Sequence, residues 1–498
     1  MNKHNNKPTV RNAVFWNTAS KFLQEGIRFV IAIILARLIA PSEFGIIAMV
    51  IVFISIGNRL TEGGFKAAII KTSDLSATDC STALMSNILL AIFFGLILWI
   101  VTPFIANFYD EPILELVVPV LALGLLFDAT SIVQAGLFTK YLQFKEQAIA
   151  GLIAAIGTGV VGITMAFNGY GLWALVISSL VGKALNSAIL WLLSNWRPNA
   201  LPTISSFKKL FGYSSKIALS GLIENLSNNL LPLIIGKFYG AASLGFYNRA
   251  NSFKEIPINN IYLITQPIIF SVLSSQQNNQ SQYADTYRRT TRIMAFLVFA
   301  VMIFLIINAE KVVLALIGEK WLDSVIMLQI LCVVGIFHQM MRINNDALIS
   351  KGFAASALKQ EIIRKVMYVI TIIITFKYGL VIMLYGIAVQ TFLSYIIMVI
   401  VTSKKVKLDA LHQFKDAMPY LIVAVISAVP SIAIAMTTQI NLYIYLIVSF
   451  VLYSFSYVIL NRIFNLKALN DFVEQFLSNK IKNYKIIGKL FNLTKKRL

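Results

Sequence analysis

The chain has 498 residues, of which 58% are hydrophobic and 13% are charged, and its formal net charge is +21. Ordinary soluble domains carry about 25% charged residues, so this composition excludes a soluble globular protein. Apolar stretches of roughly 20 residues recur along the chain, and each is long enough to cross a bilayer as a helix. Because these stretches are continuously apolar and do not alternate, they predict an all-α polytopic membrane protein and not a β-barrel.

The apolar pattern predicts about 14 transmembrane helices joined by short connections. Two repeats of six helices plus two further C-terminal helices account for this number. We therefore expect an N-terminal lobe at 1–200, a C-terminal lobe at 201–403, two extra spans at 404–462 and a basic cytoplasmic tail at 463–498. The predicted spans lie at about 12–39, 44–70, 80–107, 113–138, 147–167, 171–195, 207–237, 243–275, 287–308, 323–350, 358–377, 379–402, 418–437 and 441–462.

Basic residues are unevenly distributed between the two sides of this predicted topology. With the N-terminus in the cytoplasm, the extracytoplasmic connections hold only Arg37, Lys237, Lys311, Lys320 and Lys377 of the 43 Lys and Arg residues. The positive-inside rule then places both termini in the cytoplasm, in a cell inner (plasma) membrane protein. The basic tail beside the last span is expected to contact anionic lipid headgroups and not nucleic acid.

Ionisable residues within the predicted spans are the main candidates for function. Each costs about 2.5–3.5 kcal/mol near the bilayer centre, so it needs water or a partner. Basic side chains favour an anionic ligand, and Arg can bind a phosphate through two parallel hydrogen bonds. The substrate-binding candidates are Lys21, Arg28, Arg59, Lys216, Arg249, Lys254 and Arg342, and the coupling-ion candidates are Glu25, Glu62, Glu224, Glu255 and Asp346.

Two interpretations of these charges stay open at this point. In the first, spans 1, 2, 7, 8 and 10 line a water-filled central cavity between the two halves. In the second, neighbours at helical spacing form internal ion pairs that steady the packing, namely Lys21 with Glu25, Arg59 with Glu62, and Arg342 with Asp346. The set as a whole favours the cavity, whereas either role fits any single residue.

Proline marks candidate hinges in the seventh and eighth spans. Pro232 and Pro257 each remove a backbone donor, which can kink a membrane helix. The stretch from Asn248 to Asn260 is polar enough that the sequence also predicts a break there. A static kink that improves packing is the alternative for both prolines.

A short segment of the chain recurs in similar form 200 residues later, and we call this pair of repeated segments the echo. The segment Ile34–Gly45 is matched by Ile234–Gly245, with Arg37 answered by Lys237 and the glycine kept at the same offset. Two related halves in a membrane are typical of transporters, whose site lies where the repeats meet.

Several features that other function classes need are absent from the sequence. Cys80 and Cys332 offer neither a disulfide framework nor a metal-binding spacing, and no P-loop is present. No long extracytoplasmic loop carries catalytic residues. We therefore expect no metal, no cofactor and no enzymatic activity.

Three motifs give the chain a family resemblance: Leu35-Ala36-Arg37-Leu38 with Pro41, Glu43, Phe44 and Gly45; Asp110-Glu111-Pro112; and the segment Gly169–Leu175. With them the chain resembles the Wzx-type polysaccharide flippases of the MOP exporter superfamily, in the lipopolysaccharide and exopolysaccharide exporter branch related to the colanic acid flippase. The resemblance covers roughly residues 10–460 and is weakest in the last two spans.

This resemblance implies a V-shaped MOP/MATE-like fold and a flippase function. Such proteins move undecaprenyl-pyrophosphate-linked oligosaccharide from the cytoplasmic to the outer leaflet by alternating access, for lipopolysaccharide, capsule or exopolysaccharide biosynthesis. Arg28, Arg59 and Arg249 would contact the pyrophosphate, and the last two spans would form a groove for the lipid tail. Expected partners are membrane lipids and the glycosyltransferases and polymerase of the pathway, and we expect a monomer.

Three rival functions make different demands on the sequence. A MATE-like multidrug antiporter needs a substrate cavity lined by acidic and aromatic residues, whereas basic residues predominate among the charged residues within the predicted spans here. A membrane polymerase or ligase needs a long outer loop with catalytic residues. A scaffold for glycan-assembly enzymes has no need of charged stripes within its spans, and we rank it last.

Overall fold

The computed structural model describes residues 10–62, 64–437 and 440–472. Every regular element within these residues is helical, which confirms the all-α prediction. Up to residue 275 the helices are α1 (Val10–Leu38), α2 (Pro41–Glu62), α3 (Phe65–Lys71), α4 (Ala77–Tyr109), α5 (Leu114–Ala122), α6 (Gly124–Lys140), α7 (Phe144–Phe167), α8 (Leu172–Leu193) and α9 (Ile204–Ser275).

The rest of the chain continues this pattern, with single turns of 3₁₀ helix at Glu319–Trp321 and Phe376–Tyr378. Its α-helices are α10 (Gln280–Ile307), α11 (Ala309–Leu316), α12 (Ser324–Ser350), α13 (Ala354–Thr375), α14 (Leu380–Val406), α15 (Ala410–Ile426), α16 (Val429–Thr437), α17 (Leu442–Ile463) and α18 (Ala468–Phe472). The predicted basic tail lies outside the described residues beyond Phe472.

The helices coincide with the predicted spans, except that three predicted spans are each divided into two helices and two predicted spans are joined in one helix. The second, fourth and thirteenth predicted spans each consist of two successive helices, α2 with α3, α5 with α6, and α15 with α16. Among the described residues, 11 helical stretches are long and apolar enough to cross a membrane, so the chain is a multi-pass membrane protein. The helices α1 and α13 carry too many charged residues to count by composition, and the count of fourteen stays a prediction.

The fusion joins the seventh and eighth predicted spans in α9. Its backbone departs from helical geometry at Gly240, where φ is 81° and ψ is 175°, a conformation open to glycine. The helix runs on through Pro232, Pro257 and the polar stretch from Asn248 to Asn260, so the break expected in that stretch is not found. Gly240 stands 200 residues after Ala40, which lies between α1 and α2, so the turns of the echo coincide.

The chain forms two compact units. The first comprises the residues up to Asn248 together with Leu316–Lys320, and the second comprises Arg249–Ala315 and the residues from Trp321 onward. The chain therefore passes from one unit to the other within α9, whereas the sequence divides the lobes near residue 200. The predicted lobe boundaries stay predictions.

In the first unit, a buried apolar cluster fixes the start of α9 against α3, α4 and α6. Its members include Phe65, Ile69, Val133 and Leu210, each nearly inaccessible to solvent. Next to this cluster Asp79 accepts a hydrogen bond from Lys209 Nζ at 2.7 Å, while Asp79 and Ser76 form the capping box of α4. The apolar contacts and the ion pair together set where α9 begins.

In the second unit, charged and polar side chains attach the last helices to α10. Asp416 on α15 accepts two hydrogen bonds from Arg288, at 2.7 and 3.1 Å, and Asp471 on α18 lies 2.8 Å from Arg292. At the other end of α10, Tyr445 on α17 donates to Asn308 Oδ1 at 3.0 Å. The two C-terminal spans are thus packed onto the second unit by satisfied polar groups.

Candidate functional site

The first unit presents a row of charges on α1 that other helices do not cover. Lys21, Glu25 and Arg28 are all exposed. Glu25 pairs with Arg28 at 3.6 Å, and the two side chains keep 51% and 60% of their surface accessible. A loose pair of this kind in solvent contributes little stability, so it does not account for placing three charges in a span.

Exposed charges also occur on α2 and on the first part of α9. Arg59 and Glu62 are exposed on α2, and Lys216 and Glu224 are exposed on α9. The aliphatic part of Arg59 lies against α9, since a Cβ at Gly221 would stand 3.7 Å from its Cδ atom. Arg59 is therefore held beside α9 by packing while its charged end stays accessible.

Neutral polar side chains join α2 to α9 one turn from Arg59. Ser55 Oγ donates to Asn225 Oδ1 at 3.1 Å, and Asn229 Nδ2 donates to both of these side chains, at 3.3 and 3.1 Å. Such hydrogen bonds between membrane helices contribute about 0.6–2 kcal/mol each. We group the seven charges of α1, α2 and α9 by their shared exposure under the name exposed charged face: Lys21, Glu25, Arg28, Arg59, Glu62, Lys216 and Glu224.

The candidates in the second unit are in a different environment, because none of them is exposed. Lys254 is 5% accessible, and its Nζ atom lies 2.7 Å from Glu255. Asn259 Nδ2 donates to the other Glu255 oxygen at 2.9 Å. The guanidinium carbon of Arg249 lies 5.9 Å from the ring centre of the fully buried Trp321. These charges are packed within protein.

Arg342 is held by neutral groups. Its guanidinium carbon lies 4.6 Å from the Tyr262 ring centre, and its NH1 atom donates to Gln339 and Asn259 oxygens at 3.3 and 3.4 Å. Asp346, one turn along α12, is 7% accessible. Among the described residues, ion pairs join neither Arg342 to Asp346, nor Arg59 to Glu62, nor Lys21 to Glu25. Direct ion pairs are thus not found for these three pairs among the described residues, although Arg342 and Asp346 interact electrostatically.

The second unit also contains a cavity of about 250 Å³ between α9, α12, α13 and α14. Arg342 lines it, together with residues that sequence reasoning did not put forward as site residues, above all Glu361 and Arg364. Both lie near the start of α13, where charges at a span end are ordinarily taken to reach the membrane interface. Their spacing of three residues was the available signal, since it places them on one side of the helix.

The motif turns of the echo contact each other within the first unit. A Cβ atom on Gly45 would lie 1.7 Å from the Ala241 carbonyl oxygen, and one on Gly245 would lie 2.0 Å from that of Pro41. The offset of 200 residues relates Pro41 to Ala241 and Gly45 to Gly245, so the contact is reciprocal. The two glycines occupy matching positions of the repeated segments because the two backbones touch there and leave no space for a Cβ atom.

The charged residues of these turns bind backbone groups. Arg37 Nε donates to the Leu316 carbonyl at 2.7 Å, and Lys320 Nζ donates to the carbonyls of Arg37 and Ile39 at 3.0 and 2.7 Å. Glu43 accepts from the backbone N–H of Leu172 at 2.8 Å. Burial lowers the pKa of Lys320 from its ordinary value. These motif residues hold the turns together and are not the exposed charged face.

Comparison with protein families identifies the class of this chain. Residues 34–326 match the family model described as "Polysaccharide biosynthesis protein", which covers more than half of the chain. The chain therefore belongs to the polysaccharide biosynthesis protein family.

Two curated relatives extend this result. The chain is 27% identical to the teichuronic acid biosynthesis protein TuaB of Bacillus subtilis (strain 168), over 58% of this chain and 61% of TuaB, less than two thirds of that protein. It is 22% identical to the lipopolysaccharide biosynthesis protein WzxC of Escherichia coli (strain K12), over 72% of this chain and 73% of WzxC. The resemblance to Wzx-type proteins is thereby confirmed.

Solved structures share the fold. The lipid II flippase MurJ in an inward closed conformation superimposes with a TM-score of 0.71 over 90% of this chain and 98% of that chain, at 14% identity. An inward-facing multidrug resistance MATE family transporter of the MOP superfamily follows at 0.59, over 77% of this chain and 94% of that chain, at 15% identity. The chain therefore shares its fold with these two proteins.

Proposed function

We propose that this chain is an inner-membrane flippase that moves undecaprenyl-pyrophosphate-linked oligosaccharide from the cytoplasmic to the outer leaflet by alternating access. A pyrophosphate and its sugars cannot cross hydrocarbon unaided, whereas a polyprenyl tail is at home there. Only the headgroup therefore needs a polar path through the protein. Membership of the polysaccharide biosynthesis family and the flippase fold support this function.

The single observation that carries the proposal is the exposure of Arg28 and Arg59. Both lie within one helical turn of the midpoints of their predicted spans, and both residues are exposed within the part of the chain that the structure describes. A charge held in hydrocarbon at that depth costs about 2.5–3.5 kcal/mol. Water and an anionic headgroup remove this cost, so we assign the pyrophosphate to these two arginines. Lys21 and Lys216, nearer the ends of their spans, would receive the headgroup first.

The acidic candidates divide by environment. Glu25, Glu62 and Glu224 are accessible, and they suit a role in balancing the arginines when the anionic headgroup has left. Asp346 is buried within the second unit, whereas Glu255 keeps 32% of its side chain accessible but is already paired with Lys254 at 2.7 Å. We propose the exposed glutamates as the groups that exchange an ion during the cycle.

Orientation and partners follow from the same proposal. Both termini would lie in the cytoplasm, because the connections on the same side of the membrane as the termini hold most of the basic residues. The glycosyltransferases that build the lipid-linked saccharide would act before this protein and the polymerase after it. The monomer is the proposed functional unit. Pro232 and Pro257 are the proposed hinges, with Gly240 as a third position at which the backbone of α9 already departs from a helix.

The multidrug antiporter is the rival that the fold also supports, at a TM-score of 0.59. It is distinguished by cargo, because an antiporter for cationic drugs requires acidic groups at the substrate site. The mid-span arginines and the family match favour the saccharide.

The test is the sidedness of lipid-linked oligosaccharide in cells depleted of this protein. Sugar headgroups are labelled in intact and in permeabilised cells, with rescue by the wild type, Arg28→Ala, Arg59→Ala or Lys145→Ala. Lys145 is an exposed cation in the first turn of α7 outside the charged face, and it serves as the matched control. We expect depletion to trap the saccharide on the cytoplasmic face, and rescue at least tenfold weaker for either arginine variant than for the control. Saccharide that reaches the outer leaflet in depleted cells would refute the proposal.

A further inference from the structure

The lining of the cavity of the second unit combines polar and apolar side chains. Polar groups from α12, α13 and α14 line it, including His338, Asn345, Gln360 and Ser394. Met341, Met367 and Met398 of the same helices line it as well, together with the ring of Tyr262. A space lined by both hydrogen-bonding groups and soft apolar groups suits a ligand with both characters.

Positive charge exceeds negative charge at this cavity. Arg342 and Arg364 both line it, and Glu361 is the carboxylate among the lining residues. Glu361 Oε1 lies 2.5 Å from Arg364 NH2 and 3.8 Å from Lys365 Nζ, so its single negative charge is shared between two cations. The described hydrogen bonds of Arg342 go to the amide oxygens of Gln339 and Asn259, which carry no charge, and Asp346 on the same helix interacts with Arg342 electrostatically without forming an ion pair.

An unbalanced guanidinium that is partly removed from water favours an anion. Arg342 and Arg364 are each only partly accessible. The planar guanidinium matches a carboxylate or a phosphate through paired N–H donors, which makes arginine the preferred residue for such anions. Gln339, 1% accessible, keeps a side-chain Nε2 donor without a hydrogen-bond partner in the described structure, while its oxygen holds Arg342. Gln339 does not itself line the cavity, so its unpaired donor lies beside the site, whose lining also offers acceptor oxygens from Glu361, Asn345 and Gln360.

The volume limits the size of the ligand. Pockets that enclose drug-sized molecules measure about 300–1,000 Å³, and this cavity of about 250 Å³ falls just below that range. A single sugar ring or a phosphate group is of suitable size, whereas an oligosaccharide is not. A pyranose ring presents C–H faces to apolar side chains and hydroxyls to polar ones, which suits a lining that contains both kinds of side chain.

We infer that the cavity of the second unit is a binding site for one anionic, monosaccharide-sized group, a sugar carboxylate or a phosphate. Arg342 and Arg364 bind the anionic oxygens, while Tyr262 and the methionines pack against the ring. In the transport cycle it is a secondary subsite for a charged sugar of the cargo, a role that rests on the proposed function. It is distinct from the exposed charged face, whose residues belong to the first unit.

The test is a ligand-observed NMR titration of the purified full-length protein in nanodiscs. Three probes separate the sources of the anion: glucuronate carries a carboxylate on a sugar, inorganic phosphate carries no sugar, and glucose carries no charge. We expect glucuronate or phosphate to bind and glucose to bind at least tenfold more weakly. Preference for glucuronate assigns the site to an acidic sugar, and preference for phosphate assigns it to a phosphoryl group. Equal binding of glucose, or binding of none of the probes, overturns the inference.

Variants locate the binding and control for folding. Arg342→Gln and Arg364→Gln are each expected to weaken binding of the anionic probe at least tenfold. Lys359→Gln, an exposed cation on the same helix α13 that does not line the cavity, is expected to leave binding unchanged. Ala357→Leu fills the cavity without altering its charge and is expected to abolish binding, with the thermal midpoint recorded to confirm that the variant is folded. Binding that survives both arginine variants refutes the site.

The outcome can be separated from that of the proposed function. If the wild type transports lipid-linked oligosaccharide but binds no anionic probe in the titration, the flippase function stands and the cavity site fails. If the probe binds through Arg342 and Arg364 while depletion leaves the saccharide on the outer face, the site stands and the flippase function fails.

Discussion

The charged residues of the two units differ in what surrounds them. In the first unit, seven candidates on α1, α2 and α9 are exposed, and Glu25 with Arg28 forms a loose pair among them. In the second unit none of the five candidates is exposed. Glu255 pairs with Lys254 and accepts a hydrogen bond from Asn259, and Arg342 donates a hydrogen bond to the same asparagine. Spacing along a helix does not distinguish these cases, because the environment of a charge depends on which helices cover it. We propose that the exposed charges of the first unit act on cargo and that Lys254 and Glu255 hold the second unit together, whereas the partly buried Arg342 lines the cavity assigned to an anionic group.

If buried charges stabilise the second unit, the largest loss of stability is expected on removal of the Asp416 carboxylate. The carboxylate is 8% accessible, and it accepts both hydrogen bonds of Arg288 and lies 3.7 Å from Arg292. Removing one partner of a buried pair costs about 3–5 kcal/mol, and the partial exposure of Arg288 places the expected loss at the lower end. We expect Asp416→Ala to lower the free energy of unfolding by about 3 kcal/mol.

The measurement is thermal unfolding of the purified protein, followed by intrinsic fluorescence. Asp285→Ala is the matched control, since Asp285 is an exposed carboxylate on α10. A thermal midpoint for Asp416→Ala equal to that of the control would show that the buried charges of the second unit do not stabilise it.

The next effect concerns the first unit, where a backbone contact joins the two turns in addition to the hydrogen bonds of Arg37, Lys320 and Glu43. A Cβ at Gly45 would lie 1.7 Å from the Ala241 carbonyl oxygen, so the two turns must separate to accept alanine. Overpacking of this kind costs about 1–3 kcal/mol, and we expect about 2 kcal/mol for Gly45→Ala. Gly95→Ala is the control, because a Cβ there meets nothing within 4 Å. The two thermal midpoints should differ by several degrees, and equal midpoints would exclude the reciprocal contact as a source of stability.

Sequence reasoning succeeded where one local signal determines the answer. Continuous apolar runs located the helices, and the matched offset of Gly45 and Gly245 marked two turns that prove to touch. It placed the gap between the seventh and eighth predicted spans at 237–243, where Gly240 interrupts α9, but it also expected a break from Asn248 to Asn260 that the structure does not show. It also missed Arg364 and Glu361 as cavity residues, because a cavity among four helices depends on contacts between distant segments.

The smallest stability effect is expected at the two arginines with the largest proposed role in transport. Arg28→Ala and Arg59→Ala remove exposed charges, and substitutions of exposed residues usually change the free energy of unfolding by less than about 0.5 kcal/mol. Both variants should therefore unfold within a degree or two of the wild type while their transport falls at least tenfold. Arg28→Lys and Arg59→Lys serve as further variants, since lysine keeps the charge but lacks the paired donors of the guanidinium. If Arg59→Ala unfolds as early as Asp416→Ala, exposure does not separate functional from structural charges in this protein, and the assignment of pyrophosphate to the first unit loses its physical basis.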